Sequence, residues 1–247
     1  MITIETPPIL YEDNHLLIAV KAPGLLAQAD RTGAPDMLGL LKRDLVRRYN
    51  KPGDAFLGLV HRLDRPVSGL MVFAKTSKAA GRLSKQFREQ TVERYYVARV
   101  CGVPPTASGR LDDVLSPNMI HGQIRVTTDG VEASLLWQTV AVDRGREEAL
   151  LFIQLITGRR HQIRVQLASA GWPILGDRRY GRQTARDQSV ETVALHACGL
   201  VLTHPTRRER RAFYCGPDIN PSFESEDADR LSQFMEEQQK KGRLPRA

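Results

Sequence analysis

The sequence predicts an α+β fold: a mixed, largely antiparallel central sheet with flanking helices and loops. Three observations predict it. Helical and strand-like stretches are interspersed without a regular β-α-β rhythm, several strands follow one another directly, and no internal repeat or low-complexity segment interrupts them. With 247 residues, 41% hydrophobic and 26% charged, the chain can build a substantial core without staples, as one large domain or two small ones.

The elements follow from local pattern. Residues 15–21, closed by Ala22-Pro23-Gly24, read as a buried strand ending in a turn. Residues 37–49 place Leu38, Leu41, Leu45 and Val46 at helical spacing with Lys and Arg opposite, an amphipathic helix. An apolar approach over 56–60 leads to the turn around Asp64, and 69–74 is the strand leaving it. Ser77 is the expected N-cap of a helix running to about residue 90. Residues 92–100, Val-Glu-Arg-Tyr-Tyr-Val-Ala-Arg-Val, are β-branched and aromatic enough for a strand, broken by Pro104-Pro105. The stretch 109–129 reads as hairpins or a mobile insertion. Strands at 131–142 and 148–157 flank the polar turn Asp143-Arg144-Gly145-Arg146. Thr157-Gly158 then opens a helix over 160–170 with Gly171 as its C′ residue, and Arg160 and Arg164, at i and i+4, are expected to share a face. A loop over 172–180 and a strand over 193–202 complete the series. Residues 1–220 are expected to form one domain. Beyond it, 221–247 is a charged tail whose Phe223, Leu231, Phe234 and Met235 can pin a short helix, with 240–247 frayed.

Composition narrows the function. Lys and Arg number 36 against 28 Asp and Glu, a formal charge of +8, which favours polyanions, nucleic acid first. Arginines crowd at 62/65, 159/160/164, 178/179/182 and 207–211. Cys101, Cys198 and Cys215 form no C-x-x-C pair, so neither a disulfide framework nor a zinc knuckle is supported, and a reducing cytoplasm fits best. Residues 1–8 lack the regions of a signal peptide, and no apolar run approaches the roughly 20 residues of a membrane span. Dinucleotide and P-loop glycine patterns, a G-x-S-x-G elbow and the partners of a kinase catalytic loop are missing, and the six histidines are scattered, so no metal site is expected.

The organising stretch is His61-Arg62-Leu63-Asp64-Arg65-Pro66-Val67-Ser68-Gly69, one carboxylate between two arginines where apolar runs give way to turn formers. Alone, it reads more readily as an ordinary loop ion pair than as a tuned carboxylate. Together with Thr157-Gly158-Arg159-Arg160-His161-Gln162-Ile163-Arg164-Val165, Gly176-Asp177-Arg178-Arg179-Tyr180-Gly181, Glu93-Arg94-Tyr95-Tyr96-Val97-Ala98 and Leu195-His196-Ala197, it resembles the RluA-type pseudouridine synthases over residues 9–217. Val67 and Arg94 replace the family's usual Thr and Lys, and the first strand lies so near the start that the small leading RNA-binding module of many relatives is expected to be absent.

The resemblance implies a pseudouridine-synthase-like sheet and isomerisation of a uridine in structured RNA, ribosomal or transfer, without cofactor or metal. It implies Asp64 as nucleophile, Arg164 as its cationic partner and Tyr96 stacked on the base, with Tyr95 on the opposite side of the strand. Leu195 would line the pocket. RNA contacts fall to Arg62, Arg65, Arg94, Arg159, Arg160, His161, Arg178 and Arg179. Whether Asp64 attacks the ring or the ribose carbon stays open. A free aspartate ionises near pH 3.9; burial under a base raises such a value and a contacting arginine lowers it. A monomer with RNA as partner and no membrane is expected. A non-catalytic RNA binder on the same scaffold and a glycosidic hydrolase are the rivals.

Overall fold

The computed structural model describes residues 6–246. The expectations for the first five residues and for Ala247 lie outside the described residues. The chain forms two compact units, one running to Val92 and including Leu202–Arg211, the other comprising Glu93–Val201 and the segment from Ala212 onward.

In the first unit β1 (Ile9–Glu12) and β2 (Leu16–Lys21) form an antiparallel hairpin. Strand β1, four residues long and partly exposed, has no apolar run to mark it in the sequence. The connecting Asp13 accepts the N–H groups of His15 and Leu16 at 2.7 and 2.8 Å, an Asx turn that closes the hairpin. Helix α1 (Met37–Arg48) follows, capped by Asp36, which accepts the Gly39 N–H, and buries Met37, Leu40, Leu41 and Leu45. The two-residue β3 (Gly58–Leu59) pairs with the end of β4 (Ser68–Ala74), which is buried throughout and antiparallel to β2 from Leu16↔Ala74 to Lys21↔Gly69. Helix α2 (Ser77–Arg88) begins one residue earlier than expected: its N-cap is Thr76, extended at φ −140°, whose side chain accepts the Ala79 N–H.

The second unit is built on β5 (Glu93–Cys101). Strands β6 (Ser108–Leu115), β7 (Val131–Asp143) and β8 (Glu148–Leu155) form an antiparallel meander, so the stretch expected to be hairpins or mobile begins as a full strand. Helix α3 (Gln162–Ser169), short α4 (Ala185–Ser189), β9 (Leu195–Thr203) as far as Val201, β10 (Arg210–Tyr214) from Ala212 and α5 (Ser225–Lys240) complete it. The strand order is β9-β5-β8-β7-β6, with β10 paired to β9. Strand β10 escaped detection because its arginines masked Ala212-Phe213-Tyr214.

Helix α5 is an integral layer. Leu231, Met235 and Leu244 pack with Tyr95, Val97, Leu150, Phe152 and Cys198, and Tyr95 stacks on Phe152 with ring centroids 5.4 Å apart. Residues 240–245 are not frayed: Leu244 is buried and the Pro245 carbonyl accepts the Tyr214 hydroxyl at 3.0 Å. Beneath α5 the buried Arg99 donates through Nε and Nη2 to Asp227 (3.2 and 2.5 Å) and through Nη1 to Glu148 (3.0 Å). Such a charge is tolerable inside a protein only while its partners remain.

Two outcomes follow from these contacts. Asp227→Ala leaves Arg99 under-compensated and lowers the unfolding free energy by about 3–5 kcal/mol, measurable by denaturant titration. For Asp13, burial raises the carboxyl, but the His15 and Leu16 N–H groups, then His204 and Tyr11, outweigh it and hold it at about 2. Because the folded value lies below the unfolded one, stability is present above pH ~4 and is lost as pH falls toward ~2. Asp13→Asn flattens that part of the stability profile; an unchanged acid limb would contradict the assignment.

Candidate active site and nucleic-acid surface

In the first unit Asp64 sits half-buried in the loop between β3 and β4. Its carbonyl accepts the Val67 N–H at 3.0 Å, closing a turn through Arg65-Pro66. Beyond it the chain enters β4 through Gly69 at φ +119°, a conformation open to glycine and strained for other residues. On the upstream side the His61 ring accepts the Val72 N–H at 3.0 Å and stacks on Phe87, 4.7 Å between centroids. Both arms of the loop are therefore anchored.

A buried lysine holds the turn from within. Lys21 ends β2 fully buried, and its ammonium donates to the carbonyls of Ala22, Leu25 and Arg65 at 3.0, 2.7 and 2.9 Å. Burial pulls Lys21 down to about 7; the Asp64 carboxylate opposes the fall and Arg65 adds to it. Three carbonyl acceptors match the three N–H bonds of the protonated amine, so the geometry is that of a cation beside Asp64. Arg65 returns the tie by donating Nε to the Gly24 carbonyl. Arg62 and Arg65 are exposed.

In the second unit the alternation of β5 separates the two tyrosines as expected. Tyr95 points into the α5 core, with its hydroxyl on Glu93 at 2.7 Å. Tyr96, 7% exposed, lies on the other side with Arg94, and Leu195 is buried on β9 opposite Ala98 of β5. Burial pulls the half-buried Arg94 guanidinium below its usual range, with the Tyr96 phenol opposing. A Cβ on Gly158 would fall 2.4 Å from Arg94 Nη1. Arg94 therefore lies directly against Gly158, and any side chain there would push the guanidinium aside, so the Glu93–Ala98 and Thr157–Val165 stretches meet at this point.

The helix expected over 160–170 starts at Gln162, so Arg160 belongs to the preceding turn and does not share a helical face with Arg164. His161 is left-handed at φ 54° and makes no side-chain cap. Gln162 supplies the missing organisation: its Oε1 accepts from the Thr157 hydroxyl and the Arg159 N–H at 2.8 and 3.0 Å, and its Nε2 donates to the Ser134 carbonyl and to Gln166. Gly171, at φ +90°, follows the helix as the expected C′ residue.

Arg164 and Asp177 are both buried and joined by two parallel hydrogen bonds, Nε to Oδ2 and Nη2 to Oδ1, each 2.7 Å. Asp177 Oδ1 also accepts the N–H groups of Arg179 and Tyr180. The Tyr180 ring lies 5.2 Å from the Arg164 guanidinium, and its hydroxyl meets His161 Nδ1 at 2.7 Å and accepts the Ile124 N–H at 3.0 Å. Arg179 and Gln123 complete the link to the 119–124 segment through the Gly122 and Arg179 carbonyls. Arg178 donates to the carbonyls of Asp187, Gln188 and Val190, clamping the α4 segment. Arg159 donates to the Glu132 carbonyl, and both it and Arg160 remain exposed.

Local pattern gives no site role to Lys21, Gln162, Asp177 or Tyr180. Asp177 and Tyr180 carried a signal, since they lie in the Gly176–Gly181 stretch; Lys21 read only as a strand end. Among the described residues no group of three or more His, Cys, Asp or Glu side chains is placed to hold a metal, and no helix is long and apolar enough to cross a membrane.

Two human structures share this architecture: RNA Pseudouridylate Synthase Domain Containing 4 (TM-score 0.73, 24% identity, 91% of this chain and 93% of that one) and Domain Containing 1 (TM-score 0.73, 20% identity, 95% and 96%). The fold is thus of the pseudouridine-synthase class, an α+β fold on a mixed, mostly antiparallel sheet. The RNA pseudouridylate synthase family profile matches residues 15–169, more than half the chain. The Escherichia coli (strain K12) Dual-specificity RNA pseudouridine synthase RluA is 35% identical over 218 residues, 85% of this chain and 93% of the relative. Ribosomal large subunit pseudouridine synthase C of Vibrio vulnificus is 33% identical over 206 residues, and synthase D of Nitrosomonas europaea 36% over 205. The chain spans 62% and 58% of the length of those two. It belongs to the RNA pseudouridylate synthase family, in its RluA-type group.

Removing the carboxylate that holds Arg164 tests the buried pair. Asp177→Ala lowers the unfolding free energy by about 3–5 kcal/mol, and hydrogen exchange should show the 119–124 and 176–181 segments opening together. Independent opening of the two would contradict the shared network.

Proposed function

We propose that this protein is an RNA pseudouridine synthase that isomerises specific uridines in structured RNA, ribosomal or transfer, through Asp64. The observation that carries the reading is that the family match over 15–169 includes Asp64, Tyr96 and Arg164 in order. In the reaction the bond from ribose C1′ to uracil N1 breaks, the base turns, and C1′ bonds to C5. The C5 proton is lost and N1 gains one, so composition is unchanged. Attack by Asp64 on either the ring or the ribose requires its ionised form. The buried Lys21 cation beside it, with the anchored turn, supports that state.

Tyr96 stacks on the flipped base, at about 1–3 kcal/mol, offsetting part of the few kcal/mol of extrusion. Leu195 lines the base pocket and Arg164 supplies its positive charge. Arg62, Arg65, Arg159, Arg160 and Arg179, with His161, contact the RNA; Arg94 and Arg178 contribute by shaping the loops they hold. Residues 1–220 act as the catalytic domain, and α5 in the charged segment that follows supports it by packing on β5 and β8. The protein works as a cytoplasmic monomer without a cofactor.

Asp64→Asn should cut tritium release from carbon-5-labelled uridine RNA by at least about 1,000-fold, a loss of roughly 4 kcal/mol in transition-state stabilisation, while RNA affinity is retained. Release at the wild-type rate would sink the assignment. Free uracil in place of pseudouridine among the wild-type products would mark a glycosidic hydrolase instead.

A further inference from the structure

We infer that α2 and the turn between β9 and β10, both in the first unit, form a preformed cationic surface that grips the phosphate backbone of the RNA beyond the target nucleotide. This deepens the reading above and rests on it.

Lys78, Arg82 and Lys85 stand at i, i+4 and i+7 and share one face of α2, with Arg88 exposed beside them. They span ~10 Å along the helix axis, enough to follow successive phosphates of one strand. The flank of this face is joined to the β9–β10 turn. Arg82 Nη1 donates to the Pro205 carbonyl at 2.5 Å, and Gln86 both donates to the Thr203 carbonyl and accepts its N–H, at 2.8 and 2.9 Å. That turn carries Arg207 and Arg208, and Arg210 opens β10 beside them; all three are exposed. The arginine-rich turn therefore extends the basic row of the helix.

The turn is rigid before any ligand arrives. His204 is buried, its Nε2 meets Asp13 Oδ2 at 2.8 Å, and its Nδ1 accepts the Arg207 N–H at 3.0 Å. Its backbone closes the loop through His204 N–H to the Glu209 carbonyl and Arg208 N–H to the His204 carbonyl. Little ordering entropy remains to be lost on binding. At the tip Arg208 is left-handed at φ 61°, a position that suits Gly or Asn better.

The charge balance selects a polyanion. The acids interspersed here are Glu89, near Lys85 at 3.7 Å, Glu209, at 3.8 Å from Arg207 and 3.4 Å from Arg211, and Asp13, at 3.9 Å from Arg207. Among the described residues Lys78, Arg88 and Arg208 form no ion pair. The surface has no apolar centre of the kind that anchors a protein partner. Helix α2 also lays Phe87 on His61, so the surface is built on the helix that supports the Asp64 loop.

The test compares two variants of equal charge. Lys78→Gln/Arg88→Gln/Arg207→Gln/Arg208→Asn removes cations from the surface, Asn suiting the left-handed site. Lys51→Gln/Arg230→Gln/Lys240→Gln/Lys241→Gln removes as many exposed cations elsewhere. Affinity for a fluorescein-labelled RNA duplex of about 20 base pairs is read by anisotropy across a KCl series, with circular dichroism confirming that each variant is folded. The first variant should lose at least about tenfold in affinity near 100 mM KCl, with a log–log salt slope shallower by about 2 or more; the second should stay close to wild type. Equal losses in both would reduce the effect to net charge, and no loss in the first would leave the surface without a role; either overturns the inference. Tritium release by the wild-type protein is measured in parallel. If duplex binding behaves as expected while no RNA yields release, the enzymatic reading fails and the surface stands.

Discussion

A guanidinium removed from water must be matched by fixed acceptors, and in the second unit the bidentate pair of Arg164 with Asp177 meets that demand. The pair decides more than the position of one side chain. Asp177 cannot serve Arg164 without presenting its remaining capacity to the N–H groups of Arg179 and Tyr180, which folds the 176–181 turn. Tyr180, brought over the guanidinium, then ties His161 and Ile124. One buried charge thereby sets the entry to α3 and the placement of two loops carrying basic residues.

The first unit solves a parallel problem with a lysine. Lys21 has no carboxylate in bonding distance among its three hydrogen-bond partners; it is held by backbone carbonyls, including that of Arg65, one residue beyond Asp64. A strand end is thus bonded to the turn that displays the acid, and a positive charge lies where ionisation of that acid benefits from it. The loop is short and stiff because His61, Lys21 and Gly69 each constrain a different part of it. A side chain displayed on such a loop is held in one position.

Arginine serves three separate purposes in this chain. Arg99, Arg164 and Arg178 are structural ties, Arg94 packs against a glycine, and others at the surface remain available to an anion. Residue type alone does not separate these uses. Burial and partners do, and the same excess of positive charge that suggests nucleic acid contains several arginines whose donors are already committed to the fold.

By itself the sequence determined the class of fold, the order of most strands and helices, the family, and the residue types around Asp64, Tyr96 and Arg164. Alternation, helical spacing and turn formers act over a few residues, and Tyr95 and Tyr96 separate onto opposite sides of β5 because the strand period is two. Tertiary structure alone decided where α3 begins, which arginines are ties, that Lys21 is buried beside Asp64, and that the charged C-terminal segment is a packed layer. Each of these depends on a partner distant in the chain: Gln162 on Ser134, Arg164 on Asp177, Lys21 on Arg65, Arg99 on Asp227. A buried polar group is stabilised by whatever acceptor the fold brings to it, and no local pattern encodes that acceptor.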